Sequence, residues 1–155
     1  EYLIRISQQE LDQEQANEIY HMMTIVNEIE NIGDVITRNL LLLASRKQEL
    51  KKDFSEEGKN EITAYHIKAC KQIKRLEEAF IEKNIDLAAK IIRKENKYLD
   101  LESEFKTHHL KRYMAEKGDT VETHEIHMEL MDFLRLIIVH SSHIASMMIT
   151  PIIPK

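Results

Sequence analysis

The sequence contains few of the residues that interrupt or cross-link a chain. Its 155 residues include 3 glycines, 2 prolines, 1 cysteine and no tryptophan. So few turn-forming residues argue against a β-sheet, and the abundant Leu, Ile, Glu, Lys and Met favour long helices. The single cysteine, Cys70, cannot form a disulfide within the chain, which agrees with a reducing compartment. We therefore expect an all-α protein and, by default, exposure to the cytoplasm.

Long apolar runs and strongly basic segments are also missing. The longest apolar run covers residues 40–44, whereas a membrane-spanning helix needs about 20 apolar residues. The chain has 22 Lys and Arg against 27 Asp and Glu, which gives a net charge of -5. No segment gathers enough basic residues to follow a phosphate backbone. We therefore expect that these residues do not span a membrane and do not bind nucleic acid.

Apolar residues recur at every third or fourth position in four stretches, which is typical of amphipathic helices. The predicted helices cover approximately residues 12–50, 55–83, 85–114 and 123–149. Ser55, followed by acidic residues, predicts an N-cap, and Asn84 or Asp86 can cap the third helix. Pro151 and Pro154 end the fourth helix. Four long helices with short connections favour an antiparallel up-down bundle, which we expect to form a single domain over residues 1–155.

The clearest chemical signal lies around Gly33. Glu30 and Asp34 stand one helical turn apart, with roughly 6 Å between their Cβ atoms, at the edge of the apolar stripe. Like charges so close repel unless water separates them, a proton neutralises one or a cation bridges both. Gly33 costs a helix interior about 1 kcal/mol relative to Ala. We therefore expect close helix packing at Gly33 and also at Ser141, a small residue on the core face of the fourth helix.

Acidic residues also interrupt the apolar stripe of the third helix, at Glu95 and Glu102. Burying an unpaired charge is costly, so these acids need partners. One interpretation is that they join Glu30 and Asp34 from a facing helix to bind a cation through oxygen ligands, which suit Fe, Mn or Mg. The alternative is that these acids are hydrated in a groove or paired with bases such as Lys94 and Arg38.

Two histidine pairs, His124 with His127 and His140 with His143, have the i, i+3 spacing that can place zinc ligands on one helix face. On a helical wheel the two pairs lie on opposite flanks of the fourth helix. We therefore interpret them as ordinary surface or partner-facing histidines rather than as a zinc site.

Two further residue patterns contain side chains that can bind metal or act as a nucleophile. Glu18 and His21 match the Glu-x-x-His pattern of di-iron bundles, but such a site needs a second copy and two more glutamates, and the sequence has no second copy. Cys70 lies beside the buried face of the second helix. We interpret it as a packing residue rather than a nucleophile, because no base or helix N-terminus near it in the sequence would lower its pKa.

The segment Ile-Glu-Asn-Ile-Gly-Asp at residues 29–34 resembles the Glu-Arg-Ile-Gly-Asp signature of the PhoU family of bacterial phosphate regulators. The family's Glu/Asp-x-x-x-Asp motifs hold metal ions between helices, and residues 141–145 resemble a second copy of this signature. The PhoU-like domain at the cytoplasmic C-terminus of bacterial sodium-dependent phosphate cotransporters is closer still. The resemblance to that subgroup covers nearly the whole chain, and it is carried by residues 2–7, 54–58, 109–112 and 142–144.

The chain departs from the family pattern at Leu99, Ile138 and Ser142, where the family places acidic residues. Of the family's three pairs of metal-binding acidic residues, one is therefore complete, one keeps a single acid and one is absent. A multinuclear metal cluster is not expected from this pattern.

The resemblance implies a non-catalytic regulatory or interaction domain of a sodium-dependent phosphate cotransporter, on the cytoplasmic side of the inner (plasma) membrane. Its partner would be the membrane region of the same transporter or another protein. The chain would then be a fragment of that transporter, truncated at its N-terminus, and an apolar groove left open there could pair two chains as a homodimer. Two alternatives stay open: a free-standing metal-binding regulator of phosphate uptake and signalling, and a di-iron helical-bundle metalloenzyme.

Overall fold

A computed structural model describes residues 12–115 and 121–149 and shows a bundle of long helices. In chain order the elements are α1 (Gln13–Asp34), a π-helical segment (Val35–Leu40), α2 (Leu41–Leu50), α3 (Glu56–Ile81), α4 (Ile85–Ala115) and α5 (Val121–Ile149). These residues contain no β-strand, and the predicted all-α bundle is confirmed. The segment 2–7, the connection 116–120, Pro151 and Pro154 lie outside the described residues.

The first predicted helix is a single rod in which the π-helical segment joins α1 to α2. Asp12 starts the rod with a capping box: its Oδ1 accepts from the Gln15 backbone N–H at 2.8 Å, and Gln15 Oε1 accepts from the Asp12 N–H at 3.2 Å. The rod ends at Lys51, whose φ of 51° is left-handed. These bounds agree with the predicted range 12–50, because the caps are local signals that the sequence carries.

Side-chain caps also start the next two helices. Ser55 Oγ accepts from the Gly58 N–H at 3.1 Å at the start of α3, as predicted. Asn84 Oδ1 accepts from the Leu87 N–H at 3.0 Å at the start of α4. Short connections between long helices place consecutive helices side by side and antiparallel.

Helix α5 is central to the bundle, since it packs against α1, α2, α3, α4 and the π-helical segment. Ile138, Ser141 and Ser142 of α5 are almost completely removed from solvent. Two apolar clusters form the core around it: the first contains Val35, Tyr65, Ala69, Tyr98, Met131, Leu134, Ile137 and Ile138, and the second contains Leu76, Ala79, Ala88, Ile91, Ile144 and Ala145. Burial of these side chains is the main stabilising contribution to the bundle.

Candidate functional site

The four acids predicted to bind a metal do not meet. Glu30 is exposed to solvent, and Asp34 forms an ion pair with Arg38, in which Nη1 and Oδ2 are 3.0 Å apart. Glu102 is buried and pairs with a lysine instead. Among the described residues, no group of three potential ligands with atoms within 4.8 Å of one another includes any of these acids. The structure therefore does not assemble the predicted Fe, Mn or Mg ligand set of Glu30, Asp34, Glu95 and Glu102. Arg38, which pairs with Asp34, is one of the two bases that the alternative interpretation named.

The predicted close packing at Gly33 is not found. Among the described residues, a Cβ atom added to Gly33 would meet no atom within 4 Å beyond its own helix and chain neighbours. None of the described helices therefore packs closely against Gly33. Ser141, in contrast, is completely buried, and its hydroxyl donates to the Ile137 carbonyl oxygen at 2.6 Å. This internal hydrogen bond lets a polar residue occupy the core face of α5.

Glu28, His140 and His143 form a cluster between α1 and α5, referred to below as the Glu28 cluster. Glu28 Oε2 lies 2.5 Å from His140 Nδ1, and Glu28 Oε1 lies 3.2 Å from His143 Nδ1. An ionised carboxylate can only accept, so each imidazole donates from Nδ1. Burial alone would raise the pKa of Glu28, but the hydrogen bonds from His140 and His143 outweigh it and lower that pKa.

Four aromatic rings form a second cluster near the connection between α4 and α5, referred to below as the imidazole stack. The His109 and His127 ring centroids are 3.8 Å apart and their planes differ by 5°. His124 stacks on His109 at 4.9 Å, and Tyr113 stacks on His124 at 4.2 Å. His127 is completely buried, and neither ring nitrogen of His109 or His127 makes a hydrogen bond among the described residues.

The imidazole stack lies against the buried carboxylate of Glu61, 3.5 Å from His127 Nε2. Arg112 already donates to both Glu61 oxygens. The atoms of Glu61, His109 and His127 are close enough to hold an ion. However, the nitrogen lone pairs lie in the planes of parallel rings and cannot point at one ion together, and the Arg112 charge repels a cation. This cluster is therefore poorly suited to metal.

Both inner histidines of the stack are held neutral. Burial lowers the pKa of His127 from 6.5 to about 4, and the positive charge of Arg112 adds to the effect. Burial also lowers the pKa of His109 to about 4, followed by repulsion from His127 and His124. At neutral pH the rings of His109 and His127 are therefore uncharged aromatic parts of the core.

A third polar group surrounds Glu102. Lys106 Nζ lies 2.6 Å from Glu102 Oε1 and 2.5 Å from Asp132 Oδ1, and Arg135 Nε lies 3.9 Å from Glu102 Oε2. Burial alone would lower the pKa of Lys106, but hydrogen bonds to Asp132 and Glu102 raise it. Lys106 is therefore the partner that Glu102, a buried acid in the apolar stripe of α4, requires.

An apolar groove separates α1 from α3. It has a volume of about 320 Å³ and is lined by Ile29, Ile32, Ile73, Leu76, Glu77, Phe80, Ile81 and Ile144. Ile29 is 55% exposed, Phe80 53% and Ile81 74%. Solvent-facing apolar side chains grouped in this way are typical of a surface that binds another protein.

Several predictions about individual residues need correction. The two histidine pairs of α5 do lie in separate places, but His127 is buried in the imidazole stack and His140 is mostly buried against Glu28. His127 and His140 are therefore not ordinary surface histidines. Cys70 is exposed, and its Sγ lies 3.4 Å from His66 Nε2. It is therefore not a packing residue, and a base does lie beside it.

The di-iron pattern is not supported by the arrangement of its residues. Glu18 is exposed. Within residues 12–115 and 121–149, no three-ligand group contains Glu18 or His21.

The chain shows distant sequence similarity to a known protein. The chain is 23% identical over 136 residues to a Salmonella typhimurium protein named "Putative inorganic phosphate export protein YjbB". The match covers 87% of this chain and 25% of that protein, so the chain spans about a quarter of the length of its curated relative. No family model and no solved structure matches the chain. The similarity relates the chain to a protein named for phosphate transport.

Within the part of the chain that the structure describes, no helix combines the length and the apolar character that crossing a lipid bilayer requires.

Proposed function

We propose that this chain is a PhoU-like regulatory or interaction domain of a sodium-dependent phosphate transport protein, positioned on the cytoplasmic side of the plasma membrane. The observation that carries the proposal is the similarity to YjbB over 87% of the chain. The order of PhoU-like motifs along the sequence supports the finer assignment. The proposal gives the chain no catalytic step, and the remainder of the transport protein would move phosphate.

The apolar groove between α1 and α3 is the contact surface in this proposal. Ile29 on one wall, and Phe80 and Ile81 on the other, would become buried when a partner helix lies between them. Removing such side chains from water contributes about 25 cal/mol for each Å² of apolar area. The partner would be the membrane region of the same transport protein, and pairing of two chains through the groove is the competing outcome.

Phosphate flux in cells that express the complete gene tests the proposed contact. Ile81→Glu introduces a charge into the groove, whereas Met114→Glu introduces the same charge on α4 at a residue of matched exposure, 75% against 74%. We expect Ile81→Glu to change the uptake or export of radiolabelled phosphate, while Met114→Glu leaves it at the wild-type value. Unchanged flux in Ile81→Glu, at a normal protein level, would contradict the role of the groove.

The gene itself separates the proposal from a free-standing regulator. Several segments of about 20 apolar residues encoded upstream of Glu1 would support a transport protein. A start codon close to Glu1 would instead favour a separate regulator. Light scattering on the product of the complete gene would show whether two copies pair.

A further inference from the structure

We propose that the Glu28 cluster is a binding site for a divalent transition metal of the zinc type, held by Glu28, His140 and His143. The site is distinct from the carboxylate set predicted from the sequence, because it takes none of those four acids. It is also independent of the proposed function, since it rests only on the geometry between α1 and α5.

The three side chains converge from two helices. His140 and His143 are one helical turn apart on α5, and their rings are nearly perpendicular, at 86°, with centroids 6.3 Å apart. Both direct Nδ1 at the carboxylate that Glu28 supplies from α1. One nitrogen from each ring and one carboxylate oxygen lie within 4.8 Å of one another. The rings are not stacked, so when each imidazole carries its proton on Nε2 rather than Nδ1, both Nδ1 lone pairs can point at one ion.

The ligand types favour a particular class of metal. Two imidazole nitrogens and one carboxylate oxygen form a His₂Glu set, which binds Zn²⁺ with a fourth position left for water. The nitrogen ligands disfavour Mg²⁺ and Ca²⁺, which prefer oxygen. Ligands at about 2.0–2.1 Å in a tetrahedron stand roughly 3.3 Å apart. The carboxylate therefore needs to withdraw from His140 by less than roughly 1 Å, which is within the reach of a side-chain adjustment.

The solvent exposure of the three side chains suits metal binding, because two of them are held by packing and the third leaves a path for the ion. The Glu28 side chain is 14% exposed and that of His140 is 19% exposed, so two ligands are already held in place by packing. His143 is 54% exposed and leaves a path from solvent. An ion would replace the hydrogen bonds that now join α1 to α5, and bonds to metal from both helices would hold α1 more firmly on the bundle.

Zinc titration of the purified chain, after treatment with a chelator, tests the site. We expect roughly one Zn²⁺ per chain, with Co²⁺ giving the visible absorption of a tetrahedral site. Glu28→Gln and His143→Ala should each weaken Zn²⁺ binding by about tenfold or more. Both variants change partly exposed or hydrogen-bonding groups rather than the core, and circular dichroism would verify that they fold.

Two control variants separate this site from the other histidines. His108→Ala removes an exposed imidazole, and His109→Gln alters the imidazole stack; both should bind Zn²⁺ as the wild type does. Hydrogen exchange of the α1 amides should slow on adding Zn²⁺ to the wild type and not to Glu28→Gln. The proposal is overturned if the folded wild type binds no Zn²⁺, if Glu28→Gln and His143→Ala bind normally, or if His109→Gln alone removes binding.

Discussion

Arg112 and Glu61 form a two-pronged ion pair between α4 and α3. Arg112 Nη1 donates to Glu61 Oε1 at 2.9 Å, and Nη2 donates to Oε2 at 2.5 Å. The Glu61 side chain is only 10% exposed and that of Arg112 26%. A carboxylate so deeply placed depends on this partner, because an unpaired buried charge is much less stable than a paired one.

We predict that Arg112→Met destabilises the fold by about 3 kcal/mol, because it leaves the Glu61 charge without its main partner. Urea unfolding followed by circular dichroism would measure the change. Arg46→Met is the matched control: Arg46 pairs with Glu129 at 2.8 Å, but both side chains are substantially exposed. That control should cost less than about 1 kcal/mol. Equal losses in the two variants would contradict the assignment of Glu61 as a buried charge.

The imidazole stack should make the protein sensitive to acid. The pKa of His127 is about 4 in the folded chain and 6.5 when the side chain is free. Between these values the unfolded state binds more protons than the folded state, so stability falls as pH falls from about 6.5 to about 4. The His127 term alone is on the order of 3 kcal/mol. Glu61, Arg112, His109 and His124 surround the His127 ring.

Unfolding free energies at pH 7.5, 5.5 and 4.5, roughly spanning this window, would measure the predicted loss. His127→Phe keeps a ring without a titrating group and should reduce the pH dependence, leaving the contribution of His109. His108→Gln, which changes an exposed residue outside the stack, should retain it. A wild-type stability that stays constant across this range would contradict a neutral buried stack.

The buried hydroxyl of Tyr65 leads to a prediction of increased rather than decreased stability. Its side chain is completely buried, and its hydroxyl makes no hydrogen bond among the described residues. Burial raises the pKa of this hydroxyl well above its usual range, so it stays protonated. Tyr65→Phe removes an unsatisfied polar group and keeps the ring, so we expect a gain of about 1 kcal/mol in stability.

Thermal and urea unfolding of two variants would separate the ring from the hydroxyl. Tyr65→Ala creates a cavity in the first core cluster and should cost about 3–5 kcal/mol. A loss larger than roughly 0.5 kcal/mol in Tyr65→Phe would indicate that the hydroxyl has a partner, such as bound water.

The helices could be predicted because their signals are local. Asp12 lies where the first helix was expected to begin, Ser55 caps α3, and the spacing of apolar residues gives the bounds of each helix. Hydrophobic periodicity also places Ser141 on the core face of α5, where it is buried. Such patterns depend on residues three or four positions apart, and a single sequence displays them directly.

The polar clusters could not be predicted in the same way, because their partners are distant in sequence. Glu28 and His140 are 112 positions apart, and Arg112 and Glu61 are 51 apart. A helical wheel shows which side of its own helix a histidine occupies. It does not show which acidic residue on a neighbouring helix faces that histidine. His109 interrupts the apolar stripe of α4 at the same seven-residue spacing as Glu95 and Glu102, and this interruption was the available signal for the imidazole stack.

Gly33 shows that a glycine inside a helix does not by itself indicate close packing against another helix. The prediction assumed that a glycine, which lowers helix stability, is present so that another helix can pack closely. In the part of the chain that the structure describes, no such helix lies within 4 Å of a Cβ atom added at Gly33. Gly58 is the helical glycine that does have close neighbours. A Cβ there would lie 3.2 Å from Ser55 Oγ and 3.5 Å from His127 Cδ2. Neither glycine has the left-handed backbone that disfavours other residues.

We therefore predict opposite outcomes for the same substitution at these two glycines. Gly33→Ala should stabilise the fold by about 0.5–1 kcal/mol, because alanine loses less backbone entropy on helix formation and meets no obstacle. Gly58→Ala should gain nothing or lose stability, since its methyl group crowds the hydroxyl that caps α3, and a weakened cap costs about 1 kcal/mol. Urea unfolding of both variants would measure the difference. A loss in Gly33→Ala would indicate that another helix packs there after all.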